Sequence, residues 1–466
     1  MMFNSFLFRK KMIGICNEYV IMDIRNKGYK IFQGIDHKKN LTSKINNELN
    51  DIINFLSKPI DEMEKHQIKK LSAIVDYAFL NIPLYREKYS KVGYKVGSIN
   101  SFEDFEKLPI LYKDELINGF PNKIVKNIDD FMFSTRSSGS SGKFVTLAVD
   151  LDAIYTDTLQ GIRQYINQSS HTYDKDKTVL FIYTCPWWIK SIDGKYKLDF
   201  LPTTTKPIDA LEYIKQTKPF IISTYPTYLQ EFCKYKINLK EYGVSLVIVH
   251  SEQTTKEFRY TMAKQLGVAV LDEYSSEELT RIALECPYGN YHLEEDACYI
   301  EVLDKNTKEK ITQGTGLVVG TNLLNTATPI IRYHQGDIVT ISNVNNCKCG
   351  NHGRIIKEIN GRVMDCITSD NKQIPASSFM DLAYNWFLTY NIPIHGLKYQ
   401  IVQTSRNNIV INLEKGLYNL SKENLEKIKN SLYTLISKNI NIEIKFTNDF
   451  IMKSNKFKPV INLIGE

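Results

Sequence analysis

The chain has 466 residues, of which 43% are hydrophobic and 24% charged. That is the composition of a folded protein long enough for two or three domains, and 28 Tyr with 22 Phe supply enough apolar area to exclude a wholly disordered chain. Lys+Arg exceed Asp+Glu by 59 to 52, a net charge of +7 spread without a long basic run, which argues against nucleic acid as a partner.

At the N-terminus, FNSFLFRKKMIGICNEYVIM places apolar residues before Arg9-Lys10-Lys11 and offers no small-residue cleavage site, a poor match to an export signal. No stretch approaches the roughly 18 uninterrupted apolar residues of a membrane span, so no membrane insertion is expected. The eight cysteines are Cys16, Cys185, Cys233, Cys286, Cys298, Cys347, Cys349 and Cys366. So sparse a set reads as reduced thiols in a cytoplasmic protein. Residues 1–80 read as a helical region: Ile45, Leu49, Ile52, Ile53 and Leu56 recur at helical spacing, as do Ile68, Leu71, Ile74, Val75 and Ala78. Pro83 ends the second run. From about Phe131, apolar runs at 178–184, 220–224, 245–250 and 268–274 alternate with helical patterns at 209–216 and 254–266, which argues for α/β layers with partly parallel strands. Beyond Gly289 the segments 291–304, 314–323 and 329–341 read as antiparallel β-structure. A hairpin over 397–416 with an Arg-Asn-Asn turn, a helix over 421–439 and a strand over 442–446 complete a small α+β unit. The expected fold is therefore α/β, a large layered domain with a β-rich subdomain followed by a small α+β domain. Residues 81–364 are the core and 365–466 the C-terminal domain, with the boundary near Arg362 to Asp365.

Four segments carry chemistry. Ser134-Thr135-Arg136-Ser137-Ser138-Gly139-Ser140-Ser141-Gly142-Lys143 combines small residues, hydroxyls and one cation, which suits the cradling of a polyphosphate. It is not a Walker A loop, because two residues separate its glycines and Phe144 follows Lys143. The bland alternative is a flexible linker. Asp337, after the Gly336 turn at the end of an apolar strand, can accept two hydrogen bonds from a ribose diol or be an ordinary turn residue. Gly361-Arg362-Val363-Met364-Asp365 lies at the domain boundary, and Lys453-Ser454-Asn455-Lys456-Phe457-Lys458 near the C-terminus.

In this order and spacing the four segments resemble the signature of the adenylate-forming enzymes. Within them the chain is similar to the phenylacetate-CoA ligase group and its CapK-like relatives. PLYREKYSKVG (83–93), INSFEDFEKLPILYKDEL (99–116), TKPFIISTYPTYL (217–229), HSEQTTKEFR (250–259), DEYSSEELTRIALEC (272–286), YHLEEDACYIEVLD (291–304) and NKFKPVI (455–461) carry that likeness. The resemblance implies that Ser138, Gly139, Ser140, Ser141, Gly142 and Lys143 bind the β- and γ-phosphates of ATP and that Tyr274 packs on the adenine. It gives Mg²⁺ to Glu278 or Glu277, the ribose hydroxyls to Asp337, and a ribose or phosphate contact to Arg362. Lys456, on a C-terminal domain that pivots near Met364 or Asp365 as a mobile lid, would bridge the substrate carboxylate and the α-phosphate. The implied reaction forms an acyl-adenylate and passes the acyl group to a thiol, CoA by analogy. The alternatives are a carrier-protein thiol, an amide or ester made for a surface polysaccharide or natural product, and a nucleotide-binding protein without turnover. Ser275, Glu277, His334-Gln335 and Asn455 depart from the family pattern. A monomer or homodimer is expected.

Cys286 and His292 on one loop and Cys347 and Cys349 on another have the inventory of a structural Cys₃His zinc site; unligated cysteines beside turns are the alternative, and the resemblance favours zinc. His352 is a spare ligand, Cys298 a core residue and His250 a pocket wall. Trp187, Trp188 and Tyr225-Pro226, at the ends of apolar strands, either line the acid's pocket or belong to the core.

Overall fold

The computed structural model describes residues 36–126, 133–136, 145–184, 186–343, 347–369, 372–390, 398–415, 420–437, 439–452 and 457–464. Helix α1 (His37–Phe55) begins where the Asp36 carboxylate accepts the Lys39 N–H at 3.0 Å, which satisfies an otherwise orphaned donor of the first turn. Helix α2 (Ile60–Asn81) stops because Ile82 precedes a proline and is held extended (φ −112°, ψ 115°). Pro83 then occupies the first turn of α3 (Pro83–Ser90), where its missing N–H costs nothing. Short helices α4 (Phe102–Glu106) and α5 (Lys113–Gly119) follow. Strands β1 (Phe133–Arg136) and β2 (Thr146–Val149) pair antiparallel, with Arg136 opposite Thr146. Helix α6 (Leu151–Gln168) is capped by Asp150, which accepts from the Ala153 N–H at 2.8 Å.

The strands that follow are β3 (Thr178–Tyr183), β4 (Lys197–Pro202), β5 (Ile221–Thr224), β6 (Leu246–His250), β7 (Ala269–Ser276) and β8 (Thr280–Glu285). Next come β9 (Tyr291–Leu293), β10 (Cys298–Leu303), β11 (Lys310–Ile311), β12 (Gly314–Asn322), β13 (Tyr333–Ser342) and β14 (Ile355–Arg362). These twelve form one sheet in the order β11-β10-β12-β13-β14-β9-β8-β7-β6-β5-β3-β4. Strands β4, β3, β5, β6 and β7 run parallel, joined through helices α7 (Pro207–Thr217), α8 (Pro226–Phe232) and α9 (Lys256–Leu266). Strands β5 and β6 are buried at every position, as central parallel strands are.

From β8 onward the sheet is antiparallel. The sequence reading starts that region past Gly289; the structure starts it at Thr280. The reversal is a tight turn in which Thr280 takes φ +61° and the Ser276 hydroxyl accepts the Leu279 N–H at 3.1 Å, and no glycine or proline marks it. A second difference concerns the strand read over 329–341. Arg332 is left-handed (φ +50°) and breaks it, so that β13 begins at Tyr333. That conformation carries the buried guanidinium to Glu301, at 2.7 and 3.0 Å, and to the carbonyls of Glu106 and Leu108.

The C-terminal residues form separate sheets. After a 3-10 turn (Val363–Asp365), β15 (Ile367–Ser369) and β16 (Lys372–Ile374) pair with each other. Helix α10 (Ala376–Thr389), β17 (Tyr399–Ser405), β18 (Asn408–Glu414), α11 (Lys422–Leu435), β19 (Asn441–Thr447) and β20 (Val460–Asn462) follow, with sheet order β19-β18-β17-β20. This unit has its own core around Phe379, Trp386, Ile411 and Leu432. It meets the large sheet's helices where Tyr384 and Thr261 share a hydrogen bond of 2.8 Å. The Lys458 ammonium, two residues past Lys456, grips the Asp365 carboxylate at 2.8 and 2.9 Å.

Candidate functional site

Three polar side chains far apart in sequence meet between β7 and the adjacent pair β13–β14, which β9 and β8 separate from it along the sheet. The Tyr274 hydroxyl donates to Asp337 Oδ2 at 2.7 Å, and Arg362 Nε donates to Asp337 Oδ1 at 3.1 Å. Asp337 and Arg362 are direct partners in the β13–β14 register, so the pairing of strands fixes the ion pair. Asp337 is not in a terminal turn, as the sequence suggests, but inside a ten-residue strand. Gly336 (φ +84°) makes a bulge there: Leu317 pairs with Ile338 and Val319 with His334, so one residue of β12 faces three of β13. A bulge re-aims side chains, and the Asp337 carboxylate is buried. Gly361 (φ +104°) is required for a second reason. A Cβ there would lie 2.9 Å from the Gln253 side chain, which itself donates to the Ile359 carbonyl at 3.2 Å.

Charges of both signs meet in the site. Asp337 raises the Arg362 guanidinium above its ordinary range. Burial and the same carboxylate push the Tyr274 phenol well up, so it remains a donor. Glu278 lies on the β7–β8 turn and is buried, whereas Glu277 beside it is exposed. Burial pushes the Glu278 carboxyl up against the opposing pull of its own backbone N–H, Arg362 and Lys113. The Tyr333 hydroxyl reaches Glu278 Oε1 at 3.4 Å, and Asn322 holds the Glu278 carbonyl at 3.0 Å.

Lys113 and Tyr333 are site residues that sequence reasoning missed. Lys113 is brought in because Leu111 bridges β13: its N–H donates to the Arg332 carbonyl and its carbonyl accepts the His334 N–H, both at 2.9 Å. Tyr112 stacks on the His334 ring, with centroids 5.8 Å apart. A lone Lys inside ILYKDEL gives no signal of this by itself. Ser138, Gly139, Ser140, Ser141, Gly142, Lys143 and Lys456 lie outside the described residues, as does Cys185; β1 and β2 flank the first group.

The second constellation is the sulfur–nitrogen cluster. Cys286 follows β8, His292 lies on β9, and Cys347 and Cys349 sit between β13 and β14. Their four ligand atoms all lie within 4.8 Å of one another. Cys286 and Cys347 sulfurs are 3.5 Å apart, and Cys349 Sγ is 3.2 Å from His292 Nε2. His292 Nδ1 lies 3.3 Å from the Gly353 carbonyl, which leaves Nε2 facing the thiols, the arrangement in which a backbone acceptor orients a metal-binding imidazole. A hydrogen bond from Cys349 holds the Cys286 thiol well below its ordinary range. The donor set and spacing therefore fit tetrahedral zinc. His352 stands apart, its Nδ1 3.0 Å from the Lys58 carbonyl. The described cysteines form no disulfide, and Cys298 is fully buried core.

At the C-terminal ends of the parallel strands lies an aromatic wall. Tyr183 and Tyr225 stack at 4.9 Å, with the His250 ring 5.1 Å from Tyr183. Trp188 belongs to the core, its indole donating to Thr158 at 3.2 Å.

No protein-family model matches the chain. It is 25% identical over 298 residues to the phenylacetate-coenzyme A ligase of Pseudomonas putida, covering 60% of this chain and 67% of that protein. A second phenylacetate-coenzyme A ligase, from Aromatoleum evansii, is 25% identical over 297 residues with the same coverage. Among solved structures, 2-hydroxyisobutyryl-CoA ligase in its postadenylation state with 2-HIB-AMP superimposes with a TM-score of 0.72 at 18% identity, over 87% of this chain and 90% of that one. Among the described residues, no helix is long and apolar enough to cross a membrane.

Proposed function

We propose that this chain, a relative of the phenylacetate-CoA ligases built on the fold of the adenylate-forming enzymes, is an AMP-forming acid–thiol ligase. It converts a small carboxylic acid and ATP to an acyl-adenylate and pyrophosphate, then transfers the acyl group to CoA. The observation that carries this reading is the Tyr274–Asp337–Arg362 cluster around the buried Asp337 carboxylate, with the buried Glu278 beside it. A carboxylate with lone pairs to spare, held by a phenol and a guanidinium, suits a ribose diol. Arg362 and Lys113 supply positive charge where phosphates would lie.

Adenylation needs no general base, because a carboxylic acid is already ionised near neutral pH. Its difficulty is electrostatic: two anions must approach, and charge grows on the departing pyrophosphate. Preorganised cations answer that need. Ser138–Lys143 would hold the β- and γ-phosphates, and Tyr274 would pack on the adenine. Lys456 would bridge the acid and the α-phosphate. Glu278, or the exposed Glu277, would hold Mg²⁺, which when bound neutralises phosphate charge. Residues 365–466 would act as a mobile lid over the 81–364 core, with 1–80 as its helical N-terminal region. Cys286, His292, Cys347 and Cys349 would bind zinc with all four positions filled, a structural role that ties β8 and β9 to the β13–β14 connection. Reduced thiols suit a cytoplasmic enzyme.

The test is pyrophosphate release from ATP across aryl, short-chain and amino acids, with and without CoA. Acid-dependent release, faster with CoA, is expected. ATP binding without release for any acid would refute the enzymatic reading.

A further inference from the structure

Lys453, Lys456 and Lys458 stand close together near the C-terminus, and the structure commits the last of them to a carboxylate. The Lys458 ammonium lies 2.8 and 2.9 Å from the two Asp365 oxygens, and the side chains are only 18% and 16% exposed. An ammonium held in that way is a poor ligand for a phosphate. Asp365 ends the 3-10 turn that follows directly on Arg362, and its charge adds to the field that keeps the Arg362 guanidinium above its ordinary range. One carboxylate thus serves two cations, one from the Tyr274–Asp337–Arg362 cluster and one from the segment of Lys456.

A second clamp lies at the base of the same segment. Gln400 on β17 is wholly buried. Its NH₂ donates to the Ile451 carbonyl at 2.9 Å and to the Lys458 carbonyl at 3.0 Å, and its Oε1 accepts the Ile451 N–H at 3.0 Å. One side chain therefore joins the two ends of the span from Ile451 to Lys458. The rings of Phe450 and Phe457 meet edge to face at 5.7 Å across the same ends. Attaching the C-terminal strand requires neither clamp, because β20 is already paired with β17 from Ile401–Val460 to Gln403–Asn462. What the buried amide and the ion pair add is a fixed course for the chain on either side of Lys456. A group that acts on reacting atoms depends on such support from its neighbours.

Resting on the ligase reading, we propose that Lys458 and Gln400 are positioning residues for adenylation. Lys458 ties the segment that bears Lys456 to the boundary turn through Asp365, and Gln400 ties the ends of that segment to each other. Neither touches substrate; both act through Lys456, by setting where its ammonium meets the acid and the α-phosphate.

The experiment uses the full chain and the acid that gives the fastest pyrophosphate release among the aryl, short-chain and amino acids. Lys458→Met, which keeps the stem and removes the charge, and Gln400→Met should each lower kcat for adenylation about tenfold while the KM for ATP stays within about twofold. Lys458→Arg, which can still grip Asp365, should recover most of the rate. The deciding arm repeats Lys458→Met in a Lys456→Ala background. A residue that acts through Lys456 has nothing left there to position, so the further loss should vanish. An equal loss in both backgrounds, or a raised KM with kcat unchanged, overturns the inference and leaves the ligase intact; full activity in either single variant overturns it for that residue. Lys456→Ala with wild-type adenylation overturns the role of Lys456 and this inference with it. Wild-type protein that releases no pyrophosphate with any acid overturns the ligase reading itself.

Discussion

Asp337→Asn tests the core of the site without changing its shape. In the folded protein Asp337 accepts one hydrogen bond from Tyr274 and one from Arg362 in a buried setting. Asparagine keeps an acceptor for one of them and sets an NH₂ against the other donor. Loss of a charge-assisted bond costs about 1.5–3 kcal/mol. If the carboxylate also takes the ribose hydroxyls, weakening that contact by about 3 kcal/mol raises the KM for ATP roughly 10²-fold. Comparing ATP with 2′-deoxy- and 3′-deoxy-ATP in pyrophosphate release separates binding from architecture. Wild-type enzyme should discriminate against at least one deoxy nucleotide by about tenfold or more, and the variant should have lost most of that discrimination. Equal discrimination in both proteins would refute the ribose assignment, and a fall in thermal stability with unchanged KM would make the cluster purely structural.

Lys456→Ala should lower the rate of adenylation by on the order of 10²-fold or more while ATP affinity, measured by equilibrium binding, stays nearly intact, as for a contact made in the transition state; equal loss of both contradicts the role. Metal analysis of the purified protein should find about one zinc per chain, lost in Cys349→Ser together with several degrees of melting temperature; substoichiometric zinc in fresh protein counts against the site. Arg163→Met should destabilise the fold by about 3–5 kcal/mol, because Glu294 and Asp296, at 2.5 and 2.7 Å from its guanidinium, would be left as buried carboxylates without their cation; a loss below about 1 kcal/mol in urea unfolding would show that solvent reaches them.

The cluster of Cys286, His292, Cys347 and Cys349 was legible in the sequence because a candidate metal site depends on residue type. Cysteines and a histidine near turns have the inventory of a metal site, and the structure brings those four together; the Ser/Gly run Ser138–Lys143 lies outside the described residues. The helices over 37–55 and 60–81 and the apolar strands β3, β5 and β6 were equally plain, since burial imposes a period of 3.6 or an unbroken apolar run. Pairing could not be read the same way. That β13 bulges at Gly336, that Arg332 turns left-handed to reach Glu301, and that Lys113 arrives through a bridge from Leu111 to Tyr333 all follow from which strand lies beside which. Those contacts join residues from about 15 to more than 200 positions apart. Local sequence sets the conformational preferences of a segment, but the partner that satisfies its backbone and buried charges is chosen only when the sheet closes.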